Sequence, residues 1–140
     1  SHGALWKFEA GTGNIADAAG LGAALDYVMQ IGLGAIAAHE HDRLVYGTHL
    51  LTDIKGVRII GQAADKAGVI SFVMDQITVP EIGKALSAEG IAVRAGHHCA
   101  QPILRRMGLE ATVRPSLAFY NTFADLDALA KVVQRLSRKS

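Results

Sequence analysis

The order of helical and strand-like patterns constrains the fold of this chain more than any other feature. Two helical stretches come first, the earlier one beginning at Ile15. Four short strand-like runs follow, with helices between them, and a last helical repeat begins after Thr122. Strands and helices do not alternate as regular βαβ units. The pattern therefore predicts an α+β sandwich, with a small and mostly antiparallel sheet of about four strands covered by helices on one side.

The element boundaries are predicted from apolar runs that end at turn-forming residues. The strands are expected at residues 57–60, 68–74, 91–94 and 113–120. Thr78 and Glu81 form a capping-box pattern, which predicts the start of a helix that ends at Gly90. Gly32 and Gly34 are both expected to separate the first two helices, and a short helix is predicted over residues 102–107.

The length of the chain, 140 residues, suits one domain. Residues 1–5 are interpreted as a cloning remnant or linker, and residues 6–140 as a domain cut from a longer protein. Hydrophobic residues make up 50% of the sequence, so some apolar surface is expected to await a partner.

The charge and cysteine content argue against several classes of function. A formal net charge of +1 gives no reason to expect nucleic acid or an anionic membrane as a partner. No stretch is long and apolar enough to span a bilayer. A single cysteine excludes an internal disulfide and favours a reducing compartment, so we expect a cytoplasmic location.

The densest group of reactive side chains surrounds that cysteine, Cys99. A thiol reacts as its thiolate, which nearby cations and helix N-termini favour. The predicted helix near Pro102 directs its amides back toward Cys99, and Gly96 is expected to let the loop move. The cations within seven residues are Arg94, His97, His98, Arg105 and Arg106. This pattern favours a nucleophilic thiol.

Other interpretations of the cysteine remain open. A lone cysteine is most often a small buried hydrophobe, although two histidines and a glycine on a polar loop are poor core material. Three adjacent residues, His97 to Cys99, do not converge easily on one metal ion, so no metal site is predicted. A thiol-protease pair has no supporting pattern elsewhere in the chain. The remaining histidines are expected at the surface; they are His39, His41 and His49.

Two further segments are candidates for binding. Arg114 lies in an otherwise apolar predicted strand, where its guanidinium either holds a carboxylate or forms an internal salt bridge. The segment Gly11-Thr12-Gly13-Asn14 precedes a helix and suits a phosphate, but the same residues also make an ordinary helix cap.

Three segments in order resemble the group II (SufS-like) cysteine desulfurases. They are Phe8-Glu9-Ala10-Gly11-Thr12, Arg94-Ala95-Gly96-His97-His98-Cys99-Ala100-Gln101-Pro102 and Val113-Arg114-Pro115-Ser116-Leu117-Ala118-Phe119-Tyr120-Asn121-Thr122. The resemblance implies the C-terminal small domain of a fold-type-I enzyme that binds pyridoxal phosphate in its large domain and forms a homodimer. It implies that L-cysteine is converted to L-alanine, and that the sulfur stays on the enzyme as a persulfide. A sulfur-acceptor protein, SufE-like or a scaffold, then takes it for iron–sulfur cluster assembly.

The resemblance also assigns roles to single residues. By motif match Cys99 is the nucleophile, Arg114 holds the substrate carboxylate and Arg94 lies near the same pocket. Thr12 is expected to reach the phosphate of the cofactor bound by the neighbouring subunit. His97 and His98 are expected to shape the loop and its charge.

The chain departs from the family in one major respect. None of its six lysines lies in the His-Lys context that forms the Schiff base, so no bound cofactor is expected and the chain alone is predicted to be inactive. Two alternatives remain at this stage: a non-catalytic dimerisation or partner-binding module, and a sulfur-carrier thiol protein that needs no cofactor. A preference for selenocysteine or cysteine sulfinate is also left open.

Overall fold

The computed structural model describes residues 11–138. The expectations for residues 1–5 and for Phe8-Glu9-Ala10 lie outside this range. The helices are α1 (Ile15–Ile31), α2 (Leu33–Thr52), α3 (Val79–Ala88), α4 (Gln101–Arg106) and α5 (Phe123–Ser137). The strands are β1 (Val57–Ile59), β2 (Phe72–Met74), β3 (Arg94–Gly96) and β4 (Thr112–Arg114).

The chain divides into two compact units at Ala35, and the described part of the first unit is mainly α1. Asn14 caps this helix, because its side-chain oxygen accepts a hydrogen bond of 3.0 Å from the backbone N–H of Asp17. No residue of α1 is buried. The helix ends at Gly32, whose φ of +91° suits glycine, but Gly34 lies inside α2. The prediction that Gly34 also breaks the helix is therefore wrong.

The second unit is built on a four-stranded antiparallel sheet with the order β1-β2-β4-β3. In the central pairing Phe72 lies opposite Val113, and on the other side of β4 Ala95 also lies opposite Val113. This sheet, together with its helices, confirms the predicted α+β class.

The core of this unit lies between the sheet and helices α2, α3 and α5. Phe72 and Val113 contribute fully buried side chains from the sheet. The helices contribute others, including Leu51, Ile82, Leu86 and Val133. Burying each such side chain stabilises the fold by about 1.5–3 kcal/mol, so the packed core fixes the strands that carry the candidate site.

Three predicted strands differ from the observed ones by more than one residue. The second begins at Phe72 and not at residue 68, because Val69 forms only an isolated bridge with Ser116. The third strand begins at Arg94, where the prediction placed its end, because Ile91 and Val93 pack on the core without forming ladder pairs. The fourth ends at Arg114, since Pro115 has no N–H to continue the ladder. The Pro115 carbonyl still accepts a hydrogen bond from Ile70 at 3.2 Å.

The predicted helix caps are confirmed. The Glu81 carboxylate reaches back to the backbone N–H of Thr78 at 2.8 Å, and Thr122 caps α5 by accepting from the N–H of Asp125 at 3.3 Å. His41 and His49 are exposed as expected, but His39 is half-buried with its Nε2 3.0 Å from the Asn121 carbonyl. A surface position for His39 is therefore wrong, because α2 packs against the segment that precedes α5.

Among the helices within residues 11–138, no single one is long and apolar enough to cross a membrane. Taken together, α1 and α2 have the length and apolar composition of a membrane span, but the pair is bent by 75° at the break between them.

Candidate active site around Cys99

Cys99 lies at the tip of a tight turn that directly follows β3. The backbone N–H of Ala100 donates to the carbonyl of His97 at 2.8 Å, which closes a four-residue β-turn. The two central residues, His98 and Cys99, have φ values of +54° and +56°, as in type I′ turns. Gly96, just before the turn, has φ +147°, which requires glycine. The thiol of Cys99 is exposed at the tip of this turn.

The turn is strained, and hydrogen bonds that involve both histidines hold it. A left-handed φ costs an ordinary residue about 1–2 kcal/mol, and here two such residues are adjacent. The N–H of Cys99 donates to Nδ1 of His97 at 3.0 Å, so a neutral His97 carries its proton on Nε2. The Nε2 atom of His98 lies 3.0 Å from the Thr112 carbonyl. Strain held in this way is typical of functional positions.

Beneath the turn His98 reaches Thr112, which is buried on β4, and Thr112 in turn contacts Ser71, which is half-buried just before β2. The Nε2 atom of His98 lies 3.1 Å from the hydroxyl of Thr112, which accepts a second hydrogen bond from the Ser71 hydroxyl at 2.8 Å. Partial burial lowers the pKa of His98, and the positive charge of Arg114 lowers it further, more than that of Arg94 does. His98 is therefore neutral at pH 7, so it shapes the turn by hydrogen bonding and not by charge.

A pair of arginines lies on the strands beside the turn. Arg94 of β3 and Arg114 of β4 are direct cross-strand partners, so their side chains leave the same face of the sheet. Arg94 is exposed and Arg114 is half-buried. Within residues 11–138 neither guanidinium has a hydrogen-bond or ion-pair partner. Like charges directly opposite each other destabilise a sheet, and a bound anion relieves that repulsion.

The turn and β3 line an open depression of about 420 Å³. Of the predicted site residues, Arg94, His97, His98 and Cys99 share it, whereas Arg114 lies one strand away. Two cations are not part of this group: Arg105 lies 3.7 Å from Glu110 in an exposed ion pair, and Arg106 does not line the depression. Thr12 belongs to the first unit, where it is exposed in the segment before α1.

The residues around the depression do not form a site for a pyridoxal cofactor. Such a cofactor needs a lysine amine to form its Schiff base. Of the four lysines in the described part of the chain, none lines the depression; they are Lys55, Lys66, Lys84 and Lys131. Nor do any three histidine, cysteine or acidic side chains of residues 11–138 form a group that could hold a metal ion.

Thr112 and Ser71 support the turn from below, and no motif in the sequence pointed to either residue. Thr112 is only 1% exposed and is the single buried polar residue found within residues 11–138. Alternation along β4 places Thr112 on the same face as Arg114, two residues away. That spacing could have indicated Thr112, but the long-range partner Ser71 has no signal in the local sequence.

Known proteins resemble the chain over nearly all of its length. A cysteine desulfurase from Synechococcus elongatus is 66% identical over 96% of the chain, and a probable cysteine desulfurase from Mycobacterium leprae is 63% identical over 94%. The chain spans 21% of the length of each of these relatives.

Solved structures show the same fold. The apo cysteine desulfurase from Thermococcus onnurineus superposes with a TM-score of 0.90 at 35% identity, covering 95% of this chain and 34% of that protein. The cysteine desulfurase CsdA (S-sulfonic acid) from Escherichia coli gives a TM-score of 0.87 at 33% identity, covering 96% and 33%. The sequence model of the class-V aminotransferases matches residues 1–129. The chain therefore belongs to the class-V aminotransferase family.

Proposed function

We propose that residues 6–140 are the C-terminal small domain of a cysteine desulfurase of the group II (SufS-like) type, in which Cys99 receives sulfur from L-cysteine. One observation carries the proposal: an exposed thiol, on a turn held by hydrogen bonds, shares a depression with Arg94, whose cross-strand neighbour is Arg114. Neither arginine has a partner in the described part of the chain. The close relatives that carry the name cysteine desulfurase support this assignment.

The arginine pair gives the substrate its orientation. Arg114 is half-buried on β4, so its planar guanidinium is partly held in place and presents two parallel donors to the α-carboxylate of an amino acid. Arg94, directly opposite, adds a second positive charge at the edge of the depression that contains Cys99. An anchored carboxylate holds the sulfur of the substrate within reach of the thiol, which is the positional part of catalysis.

The sulfur transfer balances as a displacement at sulfur. The thiolate of Cys99 attacks the sulfur of L-cysteine, the new S–S bond forms and the Cβ–S bond breaks. The two sulfur atoms together lose two electrons, and the β-carbon keeps the bonding pair and takes a proton to give alanine. The chain offers no electron sink to assist this bond breaking, so we assign the sink to the remainder of the parent protein, which carries pyridoxal phosphate.

The remaining expectations are part of the same proposal. Thr12 is exposed and precedes α1, a position from which it is proposed to reach the phosphate of a cofactor held by the second subunit of a homodimer. The persulfide on Cys99 passes to a sulfur-acceptor protein for iron–sulfur cluster assembly. A reducing cytoplasm keeps the thiol available for the next cycle.

The test is the mass of the peptide that contains Cys99, taken from the full-length parent after incubation with L-cysteine. We expect a gain of about 32 Da, one sulfur atom, on that peptide, and loss of the gain after alkylation and reduction. The matched control is Cys99→Ser in the same parent. Sulfur bound elsewhere in the protein, or an unmodified Cys99 alongside continued alanine formation, overturns the proposal.

A cofactor-free sulfur carrier is the second candidate function, because an exposed thiol can also accept sulfur from a persulfide donor. The full-length parent separates the two. A desulfurase loads Cys99 from L-cysteine, and this loading stops when pyridoxal phosphate is removed. A carrier is not loaded from L-cysteine in either state; it takes sulfur from a low-molecular-weight persulfide and passes it on to a second thiol.

A further inference from the structure

A polar chain of three side chains, Ser71, Thr112 and His98, links the second unit's interior to the turn; Thr112 is buried and the other two are half-buried. The Ser71 hydroxyl donates to the Thr112 hydroxyl at 2.8 Å, and His98 Nε2 lies 3.0 Å from the Thr112 carbonyl and 3.1 Å from its hydroxyl. A buried polar group without a partner is costly, so Thr112 requires this arrangement to remain 1% exposed.

The chemistry of the acceptor fixes the tautomer of His98. A carbonyl oxygen only accepts, so Nε2 must carry the proton in its bond to Thr112. Neutral His98 then has its lone pair on Nδ1. The hydrogen bond to the Thr112 carbonyl requires an N–H donor at the far end of the side chain at position 98, and either histidine or glutamine can supply it.

The bond joins the cysteine turn to the strand that carries the arginine. Thr112 lies two residues before Arg114 on the same face of β4, and Gly96, which enters the turn, is the cross-strand partner of Thr112. His98 is adjacent to Cys99, and both have left-handed φ values that relax easily when nothing holds them. The bond therefore determines where the thiol lies relative to the arginine pair.

We propose that His98 is a positioning residue that fixes Cys99 beside the anion-binding arginines by donating its Nε2–H to Thr112. This inference builds on the proposed function, because it explains what holds the turn that carries the thiol against the strand that carries Arg114. His98 acts through the turn and does not touch the substrate.

The experiment compares alkylation of Cys99 by iodoacetate and by iodoacetamide, in the 140-residue chain at pH 8. The two reagents differ in charge, so the ratio of their rates reports how close the arginines lie to the thiol. His98 is neutral at this pH, since its pKa lies below the ordinary value, and its replacement removes no charge. Exchange of the Ala100 amide, which closes the turn, is measured by NMR as a second readout.

We expect His98→Ala to lower the iodoacetate preference by about two- to fivefold and to speed exchange of the Ala100 amide. His98→Gln keeps a hydrogen-bond donor at the same place. It is therefore expected to retain most of the iodoacetate preference and most of the protection of the Ala100 amide from exchange. If the alanine variant does not fold, His98→Gly serves instead, because glycine accepts the left-handed backbone. An alanine or glycine variant that is folded and unchanged in both readouts overturns the proposal. So does a glutamine variant that behaves like alanine.

Substitution of the arginines separates this inference from the proposed function. Arg114→Met and Arg94→Met are expected to lower the iodoacetate preference without affecting Ala100 exchange. If neither arginine affects the preference while His98 still controls Ala100 exchange, the anion-binding part of the proposed function fails and the positioning of the turn stands. If the arginines matter and His98 does not, the positioning inference alone fails.

Discussion

Replacing Thr112 with valine is expected to lower the free energy of unfolding by about 1–2 kcal/mol. Valine has nearly the same shape, so no cavity forms in this fully buried position. The substitution removes the acceptor of the Ser71 hydroxyl and leaves that half-buried group unsatisfied. A net hydrogen bond contributes about 0.5–1.5 kcal/mol, and an unsatisfied buried partner adds to the loss. The bond from His98 to the backbone carbonyl remains.

Urea unfolding followed by circular dichroism measures this change, and the melting temperature should fall by about 3–8 °C. Ser71→Ala is the matched control, because it removes the donor that Thr112→Val leaves unpaired. The double variant should therefore lose less stability than the sum of the two single changes. A neutral Thr112→Val, or strictly additive losses in the double variant, contradicts the argument that this polar chain is a coupled unit.

Three further predictions concern stability. The pKa of His98 is lowered in the folded state, so the unfolded chain binds more protons below about pH 6.5. The free energy of unfolding should therefore rise with pH up to about that value. Unfolding measured from pH 5 to 8 should show a flatter slope for His98→Gln. Gly47→Ala places a Cβ 2.9 Å from Ile70 Cδ1 and 3.0 Å from Leu126 Cδ2. These side-chain ends can shift, and alanine favours the helix more than glycine does, so the free energy of unfolding should fall by only about 1 kcal/mol. Gly68→Ala places a Cβ 2.8 Å from the backbone carbonyl of Leu117, which cannot move as a side-chain end can. Denaturant unfolding should therefore show a larger loss of stability for Gly68→Ala than for Gly47→Ala. The reverse order would contradict this packing argument.

Local patterns predicted the helices and their caps well. The starts of α1 and α5 follow from Asn14 and Thr122, whose short polar side chains satisfy free amides at the first turn. The strands were predicted less well, because apolar runs show which residues are buried but not which ones pair. Val93 packs on the core without a ladder partner, while Gly96, which looks like a loop residue, pairs with Thr112.

The candidate site was predictable in its residues but not in its geometry. The cluster around Cys99 was visible because its reactive side chains are adjacent in the sequence. The pairing of Arg94 with Arg114, 20 positions later, depends on strand register, which no local pattern fixed. The left-handed φ of His98 and Cys99 was also hidden, since neither residue type signals a turn of this kind. The roles of these residues remain predictions.

The central claim is that Cys99 takes the sulfur of an amino acid whose carboxylate is held by the arginine pair. The most direct measurement is a single turnover of the full-length parent with L-cysteine, in which alanine and the persulfide on Cys99 are quantified together. We predict equal amounts of the two products, and a much slower first turnover for Arg114→Met at the same L-cysteine concentration. Alanine formed without sulfur on Cys99, or an unchanged rate in Arg114→Met, would contradict the central claim.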